Sequence, residues 1–213
     1  MLPLLPRLSF CSGIHWRILA FGVLVFTLGS VRAALAQTEI TMPAGVYNLD
    51  PRHTSILFKI DHLGFSHFTG RFDHVEGRFT YNPVALEQST LDITVYTESV
   101  DTNDNELDAI LRTENWFDTL KYPRATFHAT EIKSTSSTTA KVTGDFTLHD
   151  KTSTVVLDVA LVGTGALPFS DTKVMGFSAK GNFERSAYGI NNLEPLIGDD
   201  VALQIETEFD QEL

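Results

Sequence analysis

Residues 47–72, with the sequence YNLDPRHTSILFKIDHLGFSHFTGRF, carry the clearest information about the fold. Apolar and polar residues alternate in its middle, which places Ile56, Phe58 and Ile60 on one face of a predicted β-strand. Gly64 then marks a turn, and a second strand rich in phenylalanine follows it. So much aromatic mass at the opening of a sheet must either fill a core or line a cavity, and the function depends on which it does.

Residues 1–36 have the composition of a secretory signal peptide. Two arginines precede an apolar run at residues 18–28, and Ala34 and Ala36 supply the small residues that a signal peptidase needs. The apolar run is shorter than the roughly 20 residues that span a bilayer, and an uncleaved N-terminal anchor is the alternative. We therefore predict a cleaved signal peptide and an exported, single-domain mature chain over residues 37–213.

Charge and cysteine content exclude several classes of function. The predicted leader contains three arginines and no acidic residue, so the formal net charge of -11 for the whole chain becomes -14 for residues 37–213. A surface this acidic repels nucleic acid and anionic lipid headgroups, which argues against a nucleic-acid partner and against stable membrane insertion. The only cysteine, Cys11, lies in the leader, so we expect neither disulfides nor thiolate chemistry in the mature chain.

Alternation with a period of two continues through the mature chain. Turn-forming residues separate short stretches whose alternate positions are apolar, which is typical of an antiparallel barrel or sandwich. These stretches are residues 91–95, 127–130, 146–148, 155–161, 177–183 and 201–209. A closed barrel of about eight strands has an interior just wide enough for side chains or one small ligand.

One segment has helical rather than strand periodicity. Leu107, Ile110 and Leu111 recur at the i, i+3 and i+4 positions that share one face of a helix. Asn103, with a glutamate three residues later, has the form of a capping box. We therefore predict one flanking helix over about residues 103–117.

Catalytic and metal-binding motifs are not evident in the sequence. Six histidines lie outside the leader, but their spacing forms no compact metal or catalytic motif. The chain has no G-x-S-x-G nucleophile elbow and no glycine-rich phosphate loop. A triad assembled from distant strands stays open, because triads are recognised by geometry. Twelve of the fifteen phenylalanines lie outside the leader, and they favour either a packed core or an apolar tunnel for a small molecule.

Four blocks of residues, taken in their order and spacing, carry a resemblance to a known family. The first block comprises Asp50, His53, Phe58, His62, Leu63, Gly64, Ser66, Gly70, Arg71 and Phe72, and the second comprises residues 99–103, Leu111, Arg112, Trp116, Phe117, residues 121–123 and residues 125–127. The third block comprises residues 142–148, Thr152 and Val155, and the fourth comprises residues 175–177, Gly181, Arg185, Tyr188 and Gly189. On these blocks the chain, from about residue 47 to its C-terminus, resembles the YceI family of periplasmic, lipocalin-like proteins.

The resemblance implies an elongated barrel whose apolar tunnel holds a long isoprenoid or a similar amphiphile, without catalysis. We accordingly expect an all-β fold: an antiparallel, up-and-down, lipocalin-like barrel of about eight strands with one flanking α-helix. The chain departs from the family pattern at Leu107 and Ile110, where an arginine and a histidine are usual. It departs again at Ala187 and Tyr188, which replace an aspartate and a phenylalanine. We expect the fold and the tunnel to survive both departures.

We therefore predict a protein, monomeric or homodimeric, that carries or sequesters a polyisoprenoid, quinone or prenyl phosphate in its lumen. Its partner is that small apolar lipid, and no cofactor or metal is expected beside it. The candidate wall residues are Phe58, Ile60, Leu63, Phe65, Phe72, Phe79, Leu111, Trp116, Phe127, Phe146 and Phe177. His62 and Arg112 are the expected polar contacts at the tunnel mouth.

Two alternatives from other classes stay open. One is a hydrolase or isomerase that acts on an apolar substrate, with His62 as its general base. The other is a stress-related structural module whose interior is completely filled by side chains, without a ligand.

Overall fold

The computed structural model describes residues 42–212, and the predicted signal peptide with its cleavage boundary lies outside them. This part of the chain is mostly β-strand, with one α-helix and three short 3-10 turns at Leu86–Gln88, Thr97–Ser99 and Arg185–Tyr188. The strands are β1 (Gly45–His62), β2 (Ser66–Phe72), β3 (Val75–Tyr81), β4 (Thr90–Tyr96), β5 (Val100–Asp101), β6 (Arg124–Ser134), β7 (Thr139–Leu148), β8 (Lys151–Ala166), β9 (Lys173–Glu184) and β10 (Ile197–Gln211), and the helix is α1 (Asn105–Leu111).

The strands form one antiparallel sheet that closes on itself as an eight-stranded barrel. One edge of β1 pairs with β10, and its other edge pairs with both β3 and β2, so β2 and β3 together occupy one position in the barrel. In the same way β4 and β5 share one position in the barrel, because β4 pairs with β3 and β5 pairs with β2. The remaining strands follow in sequence order from β6 to β10. The predicted all-β, up-and-down barrel with a flanking α-helix is therefore confirmed.

Inward and outward side chains alternate along the strands, as the period of two predicts. In β8, for example, Val155, Leu157 and Val159 line the interior of the barrel. The intervening residues Val156 and Asp158 are exposed on the outer surface. The apolar face of each strand thus decides which side of the sheet becomes the inside.

An irregularity in β1 changes which positions face inward. Its pairing with β10 shifts register between Asp50 and Ser55, around Pro51. Proline has no N–H to donate to a neighbouring strand, so a bulge accommodates it there. Leu49 before the bulge and Ile56 after it are both buried in the core, although one position is odd and the other even.

The helix α1 is shorter than predicted and begins one residue later than the capping pattern indicated. Its N-cap is Asp104, whose side chain accepts hydrogen bonds from the backbone N–H groups of Glu106 and Leu107. Asn103 is not the cap and instead has a positive φ of 62°. After Leu111 the chain continues as hydrogen-bonded turns.

The two ends of the barrel differ. The helix end carries the β1–β2 turn, α1 and the loop at residues 185–196, whereas the hairpin end carries the β6–β7 turn at residues 135–138. Among residues 42–212, no helix is both long enough and apolar enough to cross a membrane.

Candidate functional site

A cavity of about 800 Å³ occupies the barrel interior. Leu107 and Ile190 line it at the helix end, and Ser134 and residues 136–139 line it at the hairpin end, so the cavity extends from one end of the barrel to the other. Aliphatic and aromatic side chains make up most of the wall between these ends. Its volume lies within the roughly 300–1,000 Å³ that is usual for small-molecule sites.

Two groups of phenylalanine rings cover parts of the wall. Toward the hairpin end, Phe79, Phe177 and Phe209 contact one another edge to face, with ring centroids 5.9–6.0 Å apart. Toward the helix end, Phe72 lies 5.6 Å from Phe58 and 5.4 Å from Phe117. The rings of each group pack against one another, and all six line the cavity.

Glycines on neighbouring strands make room for two of the rings. The ring of Phe58 lies over Gly70, its pairing partner in β2, where a Cβ atom would overlap the ring. The ring of Phe127 lies over Gly144 of β7 in the same way. Each ring therefore packs against the wall instead of projecting into the lumen.

Most of the residues predicted for the site come together on this wall. The described structure places on it Phe58, Ile60, His62, Phe72, Phe79, Leu111, Trp116, Phe127, Phe146 and Phe177. Residues that were not predicted as wall residues also line it, among them Met175, Phe183, Phe209 and the pair Leu107 and Ile110. The departures from the family pattern on α1 thus add apolar surface to the helix end of the cavity.

Leu63 and Phe65, which were predicted as wall residues, do not lie on the wall. The strand alternation ends at His62, and the chain turns back through Leu63 and Gly64, both of which have positive φ values, 61° and 69°. Phe65 is consequently 87% exposed at the tip of the turn. These two residues form an apolar rim outside the cavity.

Arg112, the predicted polar contact at the mouth, is also off the wall. Its Nε donates to the carbonyl oxygen of Glu98 at 2.8 Å, and its Nη2 donates to that of Val100 at 2.9 Å. The guanidinium thus ties the end of α1 to the 3-10 turn at Thr97–Ser99 and to the start of β5, and it does not line the cavity.

The cavity instead contains a different arginine, Arg185, which is 3% exposed. Burial lowers the pKa of its guanidinium, against smaller opposing effects of Asp199 and Glu194. Arg185 begins the 3-10 turn after β9 and lies over the ring of Trp116, with its Cζ 5.8 Å from the ring centroid. No periodic pattern in the sequence could have distinguished this buried arginine from a surface one.

A second polar cluster lies at the bulge of β1, away from the cavity. The ring of His53 hydrogen-bonds Asp50 at 2.7 Å, and this contact raises the pKa of His53. Burial raises the pKa of Asp50, but the Arg52 amide and the His53 ring outweigh it, so the net pKa lies below its usual value. We assign this cluster to the stability of the bulge.

The match between the chain and a model of the YceI-like domain extends over residues 47–209. The chain belongs to the YceI family. A UPF0312 protein of Vibrio cholerae is 32% identical to it over 176 residues, which cover 82% of this chain and 93% of the relative. The resemblance drawn from the four blocks of sequence is thereby confirmed.

Two solved structures share the fold of this YceI-family chain. BcnA of Burkholderia cenocepacia superposes with a TM-score of 0.68 at 21% identity, covering 75% of this chain and 98% of BcnA. A polyisoprenoid-binding domain from Saccharophagus degradans superposes with a TM-score of 0.57 at 14% identity, covering 80% of this chain and all of that domain.

Proposed function

We propose that this YceI-family protein is a periplasmic binding protein that carries or sequesters a long apolar amphiphile of the polyisoprenoid type, such as a quinone or a prenyl phosphate. The observation that supports the proposal is the continuous apolar cavity along the barrel. The Saccharophagus degradans domain, which has the same fold, is a polyisoprenoid-binding domain, and this agrees with the proposed class of ligand.

The chemistry of the wall favours a long hydrocarbon chain over a compact polar ligand. Burying each methylene of such a chain contributes roughly 0.8 kcal/mol. A chain of many carbons therefore gains enough free energy to offset the entropy that is lost on binding, with few hydrogen bonds. A compact polar molecule would lose its hydration without finding partners along most of this wall.

The proposal assigns no reaction to the protein. His62, the general base of the hydrolase alternative, lines the cavity at the helix end. We expect the bound lipid to be recovered chemically unchanged after long incubation, both from the wild type and from a His62→Ala variant. A product that the wild type forms and His62→Ala does not form would instead establish catalysis.

Blocking the lumen tests the binding function directly. Ala179 is buried on β9 and lines the cavity, opposite Val159 of β8 and Ile205 of β10 in the sheet. We expect Ala179→Phe to weaken binding of a fluorescent polyene fatty acid by at least about tenfold, because the new ring occupies space that the ligand needs.

The matched control is Ala202→Phe, which adds the same ring to the exposed face of β10 beside Lys59. We expect this variant to bind like the wild type in the same titration. Equal binding by the wild type and a folded Ala179→Phe variant would place the ligand outside the barrel and overturn the proposal.

A further inference from the structure

The charge distribution inside the cavity is strongly asymmetric. Among the described residues that line it, Arg185 alone carries a permanent charge, and none is a carboxylate. Arg185 lies at the helix end, as does His62, and the polar side chains of the hairpin end are the neutral hydroxyls of serine, threonine and Tyr81. The one fixed charge of the lumen is therefore positive, although the whole chain is strongly acidic.

Backbone carbonyl groups hold the guanidinium of Arg185 in place. Its Nε donates to Gly198 at 2.7 Å, its Nη1 donates to Ile190 at 2.7 Å and to Asn192 at 3.1 Å, and its Nη2 donates to Ile197 at 2.8 Å. These bonds use four of the five N–H groups of the side chain. They fix its position without supplying a negative charge.

Asp199 and Glu194 raise the pKa of Arg185 through space, but neither of them forms an ion pair with it. Asp199 accepts hydrogen bonds from the backbone N–H and the hydroxyl of Ser186, at 2.8 and 2.7 Å. Among residues 42–212, no carboxylate lies within ion-pair distance of Arg185, whereas Arg71 and Arg78 both have such partners on the surface. A buried cation without a counter-ion is costly, and an anion that enters the same site offsets that cost.

We propose that the helix end of the cavity, around Arg185, binds the anionic headgroup of an amphiphile, a carboxylate or a phosphate, while its apolar chain extends toward the hairpin end. This inference rests on the proposed function and specifies the chemical class and the orientation of the ligand. His62 belongs to the same end, because its strand partner Ile197 supplies one of the carbonyl groups that hold Arg185.

Because the charge of Arg185 lies at one end of the cavity, ligands with an anionic head and ligands with a neutral head should differ measurably in affinity. An ionic interaction in a site of low dielectric constant is much stronger than the same interaction in water. The chain of the ligand contributes equally whether its head is charged or neutral, so two ligands that differ only in the head isolate the effect of Arg185. The same interaction also sets the direction in which the ligand lies in the barrel.

The test compares cis-parinaric acid with its methyl ester, which have the same polyene chain but differ in charge. We expect the folded wild-type protein to bind the acid at least about tenfold more tightly than the ester at neutral pH. Arg185→Gln is expected to abolish this difference between the acid and the ester, whereas Arg185→Lys retains the charge and most of the preference. Displacement by hexadecyl phosphate and hexadecanol applies the same comparison to a phosphate head.

Arg112→Gln is the matched control, because Arg112 also bonds backbone carbonyls but lies off the cavity wall. It is expected to keep the full preference for the acid. Equal affinities of the wild type for acid and ester would overturn the headgroup site and leave the carrier function standing. If neither probe bound, the carrier function would fail together with it. The wild-type comparison decides the question even if Arg185→Gln does not fold.

Discussion

At the scale of single residues, the glycines opposite aromatic rings determine how much of the lumen stays open. The ring of Phe127 lies where a side chain at Gly144 would be, and the carbonyl oxygen of His128 is 2.7 Å from the position of that Cβ. A backbone carbonyl cannot move away as easily as the end of a side chain can. A side chain at position 144 therefore could not be accommodated by a movement of the Phe127 ring alone.

We expect Gly144→Ala to lower the free energy of unfolding by about 1–3 kcal/mol, because the added methyl group overpacks the wall. Thermal unfolding measures the change, at about 2–4 °C for each kcal/mol in a chain of this size. Gly165→Ala is the control, since no atom lies within 4 Å of its added Cβ. Equal melting temperatures for the two variants would show that the ring of Phe127 moves aside without cost.

The two arginines show how far residue type alone can predict a site. Arg112 lies in a motif next to an apolar helix and was predicted at the cavity, yet its guanidinium bonds the carbonyls of Glu98 and Val100. Arg185 also lies in a sequence block of the family, and it is the one on the wall. Whether each arginine lies on the cavity wall depends on how the loops fold over the ends of the strands. No local sequence pattern encodes this arrangement of the loops.

At the scale of elements, local periodicity predicted the faces of the strands but not where they end. The alternation at Val155, Leu157 and Val159 continues on the cavity wall as expected. Leu63 and Phe65 were predicted as wall residues because they are apolar residues beside the predicted turn, but positive φ values at Leu63 and Gly64 redirect the chain there. Chain reversal thus marks the limit of the prediction along this strand.

The start of α1 gives a prediction at the same scale. Asp104 satisfies the N–H groups of Glu106 and Leu107, which have no acceptor within the helix. We expect Asp104→Ala to lower the free energy of unfolding by about 1 kcal/mol, as measured by urea denaturation. Asp104→Asn keeps a capping oxygen and should restore most of the loss. An Asp104→Ala variant as stable as the wild type would mean that packing of Leu111 alone holds the helix.

At the scale of the whole molecule, the open lumen is the property that the sequence left undecided. Phenylalanine content is compatible with a filled core and with a tunnel, and the choice between them depends on strand number and stagger. Register shifts at four places in the described barrel adjust that stagger: two lie along the pairing of β1 with β10, one lies in β6 and one in β8. These shifts come from pairing between distant segments, so a local pattern could not reveal them.

Native mass spectrometry of the purified protein is the most direct experiment on whether the barrel holds an apolar amphiphile. The chain would be expressed with its leader, purified from the periplasm and analysed intact, and the bound material would then be extracted into organic solvent. We expect a chain that begins at Gln37 and carries one discrete added mass, which extracts as an unchanged isoprenoid-type lipid. A ligand-free mass alone, both as purified and after incubation with polyprenyl lipids, would contradict the proposed binding function.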